Sequence, residues 1–242
     1  PRRIGVRRSR GFYRAIPRSA LDERNELGRI CGSAALKPAS FPPTSLHAEE
    51  LACRRGGRLI FEGLSFALRP GEAIALTGRN GAGKSSLIAM LCGRLRPDGG
   101  SIRLEGVEDE ADLAEIAHLV GHRDGLKTAL TARENLAFAQ DVLGHAAATP
   151  DEALAAVGLG HAAELPAGYL SAGQRRRVAL ARLLVSRRPY WLLDEPLSAL
   201  DTASQAMVAG LMRDHLAQGG AILAATHGPL GLEGTREIRI GA

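Results

Sequence analysis

A glycine-rich segment has the residue types and the spacing that bind phosphate. Its sequence, GRNGAGKS, fits the pattern G-x-x-x-x-G-K-[ST] and follows the apolar run Ala73–Thr77. Glycines in this pattern let backbone N–H groups turn toward phosphate oxygens, the lysine reaches the β- and γ-phosphates, and the hydroxyl binds Mg²⁺. The sequence therefore predicts a nucleotide site with Ser85 as a metal ligand. The predicted binding residues are Gly78, Arg79, Asn80, Gly81, Ala82, Gly83, Lys84, Ser85 and Ser86.

An acidic pair, Asp194 and Glu195, follows a second apolar run, Tyr190–Leu193. Such a pair at a strand end can simply face solvent. With a phosphate-binding loop upstream, we favour a catalytic interpretation. Asp194 is then placed to hold Mg²⁺ directly or through water. Glu195 is then placed to polarise the attacking water, as phosphoryl transfer requires.

The elements that must position these residues alternate between strand and helix. Such alternation predicts a parallel sheet covered by helices. Helices are expected over residues 110–118 and over 130–164, the latter broken near Gly144 and Pro150. The other predicted helices cover 84–92, 174–186 and 203–218, and the predicted strands cover 59–61, 64–68, 73–77, 101–104, 190–193 and 221–225.

Composition and charge limit the possible classes of function. The 242 residues are 45% hydrophobic, enough for one substantial core. No apolar run approaches the roughly 18 residues that a membrane-spanning helix needs. Residues 1–20 hold seven Arg and no acid, whereas the remainder has 24 Lys and Arg against 26 Asp and Glu. The basic character therefore belongs to a tail, which argues against a nucleic-acid-binding body. The cysteines, Cys31, Cys53 and Cys92, lack Cys-x-x-Cys spacing and indicate neither a disulfide framework nor a zinc site.

Residues 1–46 differ in character from the rest of the chain. They are rich in Arg, Pro and Ser and have no sustained apolar period. We expect a basic, disordered extension there, although the first twenty residues also have the composition of a transit peptide. The folded domain is expected over 47–242, with a helical part at about 110–170.

Three further motifs, in their order along the chain, resemble those of the ATP-binding cassette (ABC) ATPases. Leu-Ser-Ala-Gly-Gln at 170–174 resembles the family's signature turn, and Leu-Ser-Ala-Leu-Asp at 197–201 resembles its D-loop. His227 falls where the family keeps a switch histidine. A lone histidine at a strand end is more often structural, but the order of the other motifs favours the functional role. The resemblance covers about residues 47–242. It implies an α/β P-loop NTPase core with an antiparallel β subdomain and a helical subdomain.

The resemblance also implies how the site works. Two copies would sandwich ATP, and each copy's signature turn would bind the γ-phosphate held by the other copy. ATP contacts are then implied for Ser171, Gly173, Gln174 and Asp201, and a catalytic contact for His227.

Two positions depart from the family pattern. Arg55 stands where an aromatic residue usually stacks on adenine, and its guanidinium can also stack on a base. His122 or Arg123 replaces the usual Q-loop glutamine.

Finer markers resemble the ATP-binding subunits of haem exporters in bacterial cytochrome c maturation. They are the Ala172 variant of the signature turn, Gly-His-Arg-Asp-Gly-Leu-Lys at 121–127 and Leu-Thr-Ala-Arg-Glu-Asn-Leu at 130–136. This resemblance implies a homodimer of cassettes, peripheral on the cytoplasmic side of the cell inner membrane, working with membrane-spanning transporter subunits. It implies no nucleic-acid binding and no direct haem binding.

Two alternatives stay open at this point. The chain could serve an ABC transporter for a different solute. It could also be a soluble ABC ATPase that acts on nucleic acid through its basic tail. Proteins of the second class carry long coiled-coil insertions or two cassettes. This chain shows one cassette and no heptad run between Lys84 and Ser171.

Overall fold

A parallel sheet of five strands lies at the centre of this computed structural model, which describes residues 40–107 and 112–241. In their spatial order, the strands are β5 (Ala117–Val120), β6 (Tyr190–Asp194), β7 (Ala221–Ala225), β3 (Ala73–Thr77) and β8 (Arg236–Arg239). Every residue of β6 and of β7 is buried, which explains their continuous apolar sequence, because helices or a second sheet cover both faces.

A second, antiparallel sheet has the order β2-β1-β4. Its strands are β1 (Ser45–Arg55), β2 (Arg58–Leu68) and β4 (Gly99–Glu105). The two strand segments predicted at 59–61 and 64–68 form the single strand β2. Side chains of this sheet, among them Leu46, Leu51 and Leu68, share one hydrophobic cluster with α1 (Lys84–Leu91) and the central sheet. Of the disordered extension predicted over 1–46, residues 1–39 lie outside the described residues, whereas Ser45 and Leu46 are the first two residues of strand β1.

The remaining helices are α2 (Leu113–Ile116), α3 (Ala132–Leu143), α4 (Pro150–Ala156), α5 (Ala172–Val185) and α6 (Thr202–Ala217). Short 3₁₀ turns cover Gly160–Ala162 and Ala167–Tyr169. Helices α3, α4 and α5 enclose a hydrophobic cluster of their own. Capping boxes begin all three of these helices, each satisfying two otherwise unpaired backbone donors. Within the described residues no helix is long and apolar enough to cross a bilayer.

The structure confirms the predicted fold class, with a parallel sheet, an antiparallel sheet and helices. Strands β1 and β8 were not predicted from the sequence, and one predicted helix is wrong in part. Residues 110–118 were expected to be helical. In the structure only Leu113–Ile116 is an α-helix, and Ala117–Val120 forms strand β5. Strand β5 pairs in parallel with β6, from Ala117 opposite Tyr190 to Val120 opposite Leu193. Pairing with a buried strand therefore overrides the helical tendency of an Ala- and Leu-rich segment.

Candidate nucleotide-binding site

The predicted site residues follow three strands that end at one edge of the parallel sheet. Leu76 of β3 and Asp194 of β6 both lie opposite Ala225 of β7. The glycine-rich loop, the acidic pair and His227 therefore emerge side by side. This edge, at the carboxyl ends of the strands, is where open α/β sheets bind ligands.

The glycine-rich loop depends on a glycine at its last position. Gly83 has a φ of 105°, and a Cβ there would lie 2.6 Å from Cγ2 of Ile60 in β2. The loop can therefore pack against the antiparallel sheet only without a side chain at this position. Helix α1 begins at Lys84, so the backbone N–H groups of its first turn, which have no partner within the helix, lie at the end of the glycine-rich loop. The Lys84 ammonium donates a hydrogen bond to the Gly78 carbonyl over 2.8 Å, which turns the lysine back over the loop.

Ser85 and Asp194 place two oxygens next to each other. The Ser85 hydroxyl donates to Asp194 Oδ2 over 2.8 Å. Hydroxyl and carboxylate oxygens suit Mg²⁺, which at nucleotide sites takes few protein ligands and completes its shell with phosphates and water. Among the described residues no group of three or more His, Cys, Asp and Glu is arranged to hold a metal ion. The pair therefore fits a Mg²⁺ ion that also binds nucleotide phosphates.

His227 joins the lysine to the predicted base. Its Nε2 lies 3.4 Å from Lys84 Nζ and 3.4 Å from Glu195 Oε1. The lysine is almost fully buried, whereas half of the His227 side chain is exposed. The three side chains thus form a row from the glycine-rich loop to the end of β6. A γ-phosphate and a water placed along this row would meet a cation, an imidazole and a carboxylate.

The backbone at Glu195 is held in an uncommon conformation. Its φ is 51°, a left-handed value that costs a non-glycine residue roughly 1–2 kcal/mol. Hydrogen bonds fix the residue on both sides. Its N–H donates to the Ala225 carbonyl over 2.9 Å, and its carbonyl accepts from Arg176 Nη2 at 2.6 Å and from Ser198 Oγ at 2.9 Å. Neither Arg176 nor Ser198 was singled out from the sequence, where the run Arg175–Arg177 resembles a solvated helix face.

These groups line one open cavity of about 600 Å³, here called the nucleotide cavity. Of the two candidates for the missing glutamine, His122 lines it and Arg123 does not. Ile60 is a lining residue that the sequence did not indicate. Among the described residues no Phe, Tyr or Trp side chain lines the cavity, whereas Arg55 does. Its lining consists of Arg55, Ile60, residues 79–86, His122, Asp194, Glu195 and His227.

The residues of the signature turn, Ser171–Gln174, lie outside this cavity. Ser171 is the N-cap of α5, and its hydroxyl accepts from the Gln174 N–H at 3.1 Å. The Gln174 side chain accepts in return from the Ser171 N–H at 2.8 Å. A Cβ on Gly173 would lie 2.9 Å from the Ala199 carbonyl oxygen, so the turn is close-packed against the D-loop. Ser171 itself is exposed to solvent.

Asp201 is also absent from the lining of the cavity. It is the N-cap of α6, and its carboxylate accepts from the Ser204 N–H at 2.8 Å. That backbone hydrogen bond lowers the pKa of Asp201 below its ordinary value. Its observed role is therefore helix capping at the end of the D-loop.

Similarity to known proteins agrees with this geometry. The ABC transporter family model matches residues 61–198. The chain is 59% identical over 197 residues to the "Cytochrome c biogenesis ATP-binding export protein CcmA" of Rhodopseudomonas palustris strain HaA2, covering 81% of this chain and 98% of that protein. The protein of the same name from Bradyrhizobium diazoefficiens is 56% identical, with the same coverage.

A solved structure shows the same fold. It is a dimeric ATP-binding cassette in a post-hydrolysis state, bound to ADP and Pi, with a TM-score of 0.70 at 23% identity. The match covers 81% of this chain and 94% of that one. The chain therefore belongs to the ABC transporter family, as an ATP-binding subunit similar to the CcmA proteins.

Proposed function

We propose that this ATPase powers an export step of cytochrome c biogenesis, namely haem export or release of a haem-loaded chaperone. The observation that carries the ATPase part is the nucleotide cavity, where one chain collects the phosphate-binding loop, the Ser85–Asp194 pair and the row Lys84–His227–Glu195. The names of relatives at 56–59% identity support the biological process. The same names argue against the nucleic-acid alternative.

Within one chain, the proposed roles follow from the atoms present. Backbone N–H groups of residues 78–86 bind the phosphates, and Lys84 contacts the β- and γ-phosphates. Ser85 and Asp194 hold Mg²⁺, which neutralises charge that develops on the phosphates. Glu195 orients the attacking water and accepts its proton, while His227 contacts the γ-phosphate.

The signature turn completes the site of a second copy in this proposal. Ser171 is exposed, and the N-terminal end of α5 provides backbone N–H groups and a positive dipole end for a phosphate. Two chains related by a twofold axis would each present this turn to the other's nucleotide cavity. Asp201 would then lie at the dimer interface. The dimeric cassette of the same fold supports this arrangement.

A second cavity marks where we place the membrane-spanning partner. It measures about 360 Å³, lies between β5 and α3, and is here called the docking groove. Phe138 and Val142 of α3 line it, with exposed fractions of 48% and 66%. Lys127, Arg182 and Arg188 add positive charge. An apolar segment flanked by acidic residues fits this surface, and its docking would hold the subunit at the cytoplasmic side of the inner membrane. The cassette would begin with strand β1 at Ser45, two residues before the predicted boundary at 47.

The test is covalent haem staining of c-type cytochromes in a strain that lacks the gene. The parent chain should restore staining and Lys84→Ala should not, because phosphate binding is lost. Arg96→Ala, which removes an exposed cation outside both cavities, serves as the matched control and should restore it. Normal staining without the gene would contradict the cytochrome c assignment and favour the alternative, an ABC transporter of a different solute.

A further inference from the structure

A buried guanidinium, that of Arg176 in α5, joins three segments around the nucleotide cavity. The residue is only 2% exposed. Nε donates to the Pro196 carbonyl at 3.2 Å, and Nη2 donates to the carbonyls of Asp194 at 2.7 Å and Glu195 at 2.6 Å. Nη1 donates to the Gly121 carbonyl at 2.9 Å and to the Asp124 carboxylate at 3.3 Å. All five N–H donors of the side chain are therefore used.

These bonds act on the backbone that carries the predicted base. Arg176 binds three consecutive carbonyls, from Asp194 to Pro196, across the point where Glu195 adopts its left-handed φ of 51°. A residue in this conformation keeps it only when its surroundings over-determine it. The guanidinium therefore helps to fix the direction in which the Glu195 side chain leaves the strand.

The other end of the guanidinium holds the loop that follows β5. Gly121 and Asp124 bracket His122, which lines the nucleotide cavity. Directly after Asp124, Gly125 and Lys127 of the same loop line the docking groove. Arg176 lies two residues after Gln174, within the helix that begins with the signature turn. One side chain thus connects the signature helix, the catalytic strand end and the loop between the two cavities.

We infer that Arg176 is a positioning residue for hydrolysis, holding Glu195 in its reactive orientation and tying that orientation to the signature helix and the β5 loop. This rests on the proposed catalytic role of Glu195. A displacement of the signature helix or of the β5 loop would pull on the three carbonyls and move the carboxylate. Docking of a membrane partner or of a second copy would in this way set the hydrolysis rate without contacting the reacting atoms.

The first test compares Arg176→Gln, Arg176→Lys and the neighbouring control Arg177→Gln in the full chain. Arg177 makes its hydrogen bond, at 3.0 Å, to the Val157 carbonyl in the helical subdomain rather than to the catalytic strand. Arg176→Gln should lower kcat about 10- to 100-fold, because a small misplacement of a catalytic group has effects of this size. The equilibrium Kd for ATP should change less than about twofold, because no atom of Arg176 lines the nucleotide cavity.

Lysine separates positioning from simple stabilisation. It keeps a positive charge for Asp124, but one ammonium cannot reproduce the planar five-donor fork that reaches three segments. Arg176→Lys should therefore recover most of the melting temperature that Arg176→Gln loses, while kcat stays low. Recovery of kcat together with the melting temperature would overturn the proposal. A loss of ATP affinity in proportion to kcat would overturn it as well. If Arg176→Gln does not fold, the lysine variant and the parent alone give the comparison.

A double-mutant cycle tests whether Arg176 acts through Glu195. On a Glu195→Gln background, Arg176→Gln should lower the residual rate by less than about twofold, because the group that it positions is already gone. Equal fold-losses on both backgrounds would show an independent effect and reject the inference. The two hypotheses fail separately, since a Glu195→Gln variant with the parent rate would instead reject the catalytic role of Glu195.

Discussion

The nucleotide cavity and the signature turn contrast in how much of a site each contains. In the cavity, Lys84 and Glu195 each approach His227 to 3.4 Å, and the Ser85 hydroxyl lies 2.8 Å from the Asp194 carboxylate. At the turn, the polar groups of Ser171 and Gln174 bond mainly to each other. Yet a sequence motif predicts a functional role for each of the two regions.

The difference indicates what each region still lacks. The cavity holds the groups that we propose bind a nucleotide and activate water, so one chain should bind ATP. The turn has a preformed helix start and an exposed serine, which in the proposal form half of a phosphate site. The proposal of a composite site follows, in which a second copy brings the turn to the nucleotide.

The largest effect should come from the cavity itself. Glu195→Gln keeps size and polarity but removes the proton acceptor, so turnover should fall about 10²–10⁴-fold. ATP affinity should stay near that of the parent, because the phosphate-binding loop is unchanged. Steady-state hydrolysis and equilibrium binding of a fluorescent ATP analogue measure the two quantities. Hydrolysis at the parent rate would show that Glu195 is not the base.

The second prediction concerns the turn. Ser171→Asp keeps a good N-cap for α5 but directs a negative charge at the partner's γ-phosphate, so hydrolysis should fall about 10²-fold. Ser171→Asn introduces a neutral cap of almost the same shape as aspartate, and its hydrolysis rate should fall much less. ATP binding by the single chain should survive both changes, in contrast to Lys84→Ala.

A mixture of Lys84→Ala and Ser171→Asp distinguishes an ATP site that two chains share from an ATP site that one chain forms alone. In a heterodimer of Lys84→Ala and Ser171→Asp, one composite site pairs an intact loop with an intact turn. An equal mixture should therefore regain about a quarter of the parent activity if the chains exchange freely in a symmetric dimer. A mixture that stays inactive, although chain exchange is demonstrated, would mean that loop and turn act within one chain.

The third prediction concerns the core that carries both regions. Burial lowers the pKa of His118 to about 4 and that of His215 to about 3, and His215 also stacks on Trp191. In the unfolded chain both titrate near 6.5. The unfolded state therefore binds more protons below about pH 6.5, so stability falls as the pH decreases from there. At pH 5 each histidine should lower the free energy of unfolding by about 2 kcal/mol.

Urea unfolding at pH 7.5 and pH 5 tests this. Between these two pH values, the free energy of unfolding of His215→Gln should decrease by about 2 kcal/mol less than that of the parent, whatever the stability of the variant at pH 7.5. His161→Gln, which changes an exposed histidine, should follow the parent. Equal losses in the parent and in His215→Gln would mean that His215 is not held neutral by burial.

Local patterns predicted those parts of the fold whose interactions are themselves local. The glycine-rich loop, the helix that follows the signature turn and the buried strand β6 follow from neighbours along the chain. Strand β5 could not be predicted in this way, since it exists through its pairing with β6.

The role of Arg176 was hidden for a related reason. Its five acceptors are 18 to 55 residues away along the chain, whereas its neighbours Arg175 and Arg177 make it look like part of a charged surface. The presence of His122, and not of Arg123, in the lining of the nucleotide cavity also needed the course of the loop after β5. In both cases the sequence shows which groups are available but not which of them point inward.

The smallest expected effect is that of Arg55. This residue, at the end of β1, lines the nucleotide cavity, and the family resemblance implies that it takes the position of the aromatic residue that usually stacks on adenine. An exposed guanidinium over a base contributes modestly, so Arg55→Ala should raise the KM for ATP about two- to fivefold with kcat unchanged. Arg58→Ala is the matched control, because Arg58 lies opposite Arg55 in the β1–β2 ladder but does not line the cavity. Arg55→Tyr should restore the KM for ATP and increase the difference between the KM values for GTP and ATP. If neither substitution of Arg55 changes the KM for ATP, groups other than Arg55 hold the base. The second copy in the composite site would then be the place to look for those groups.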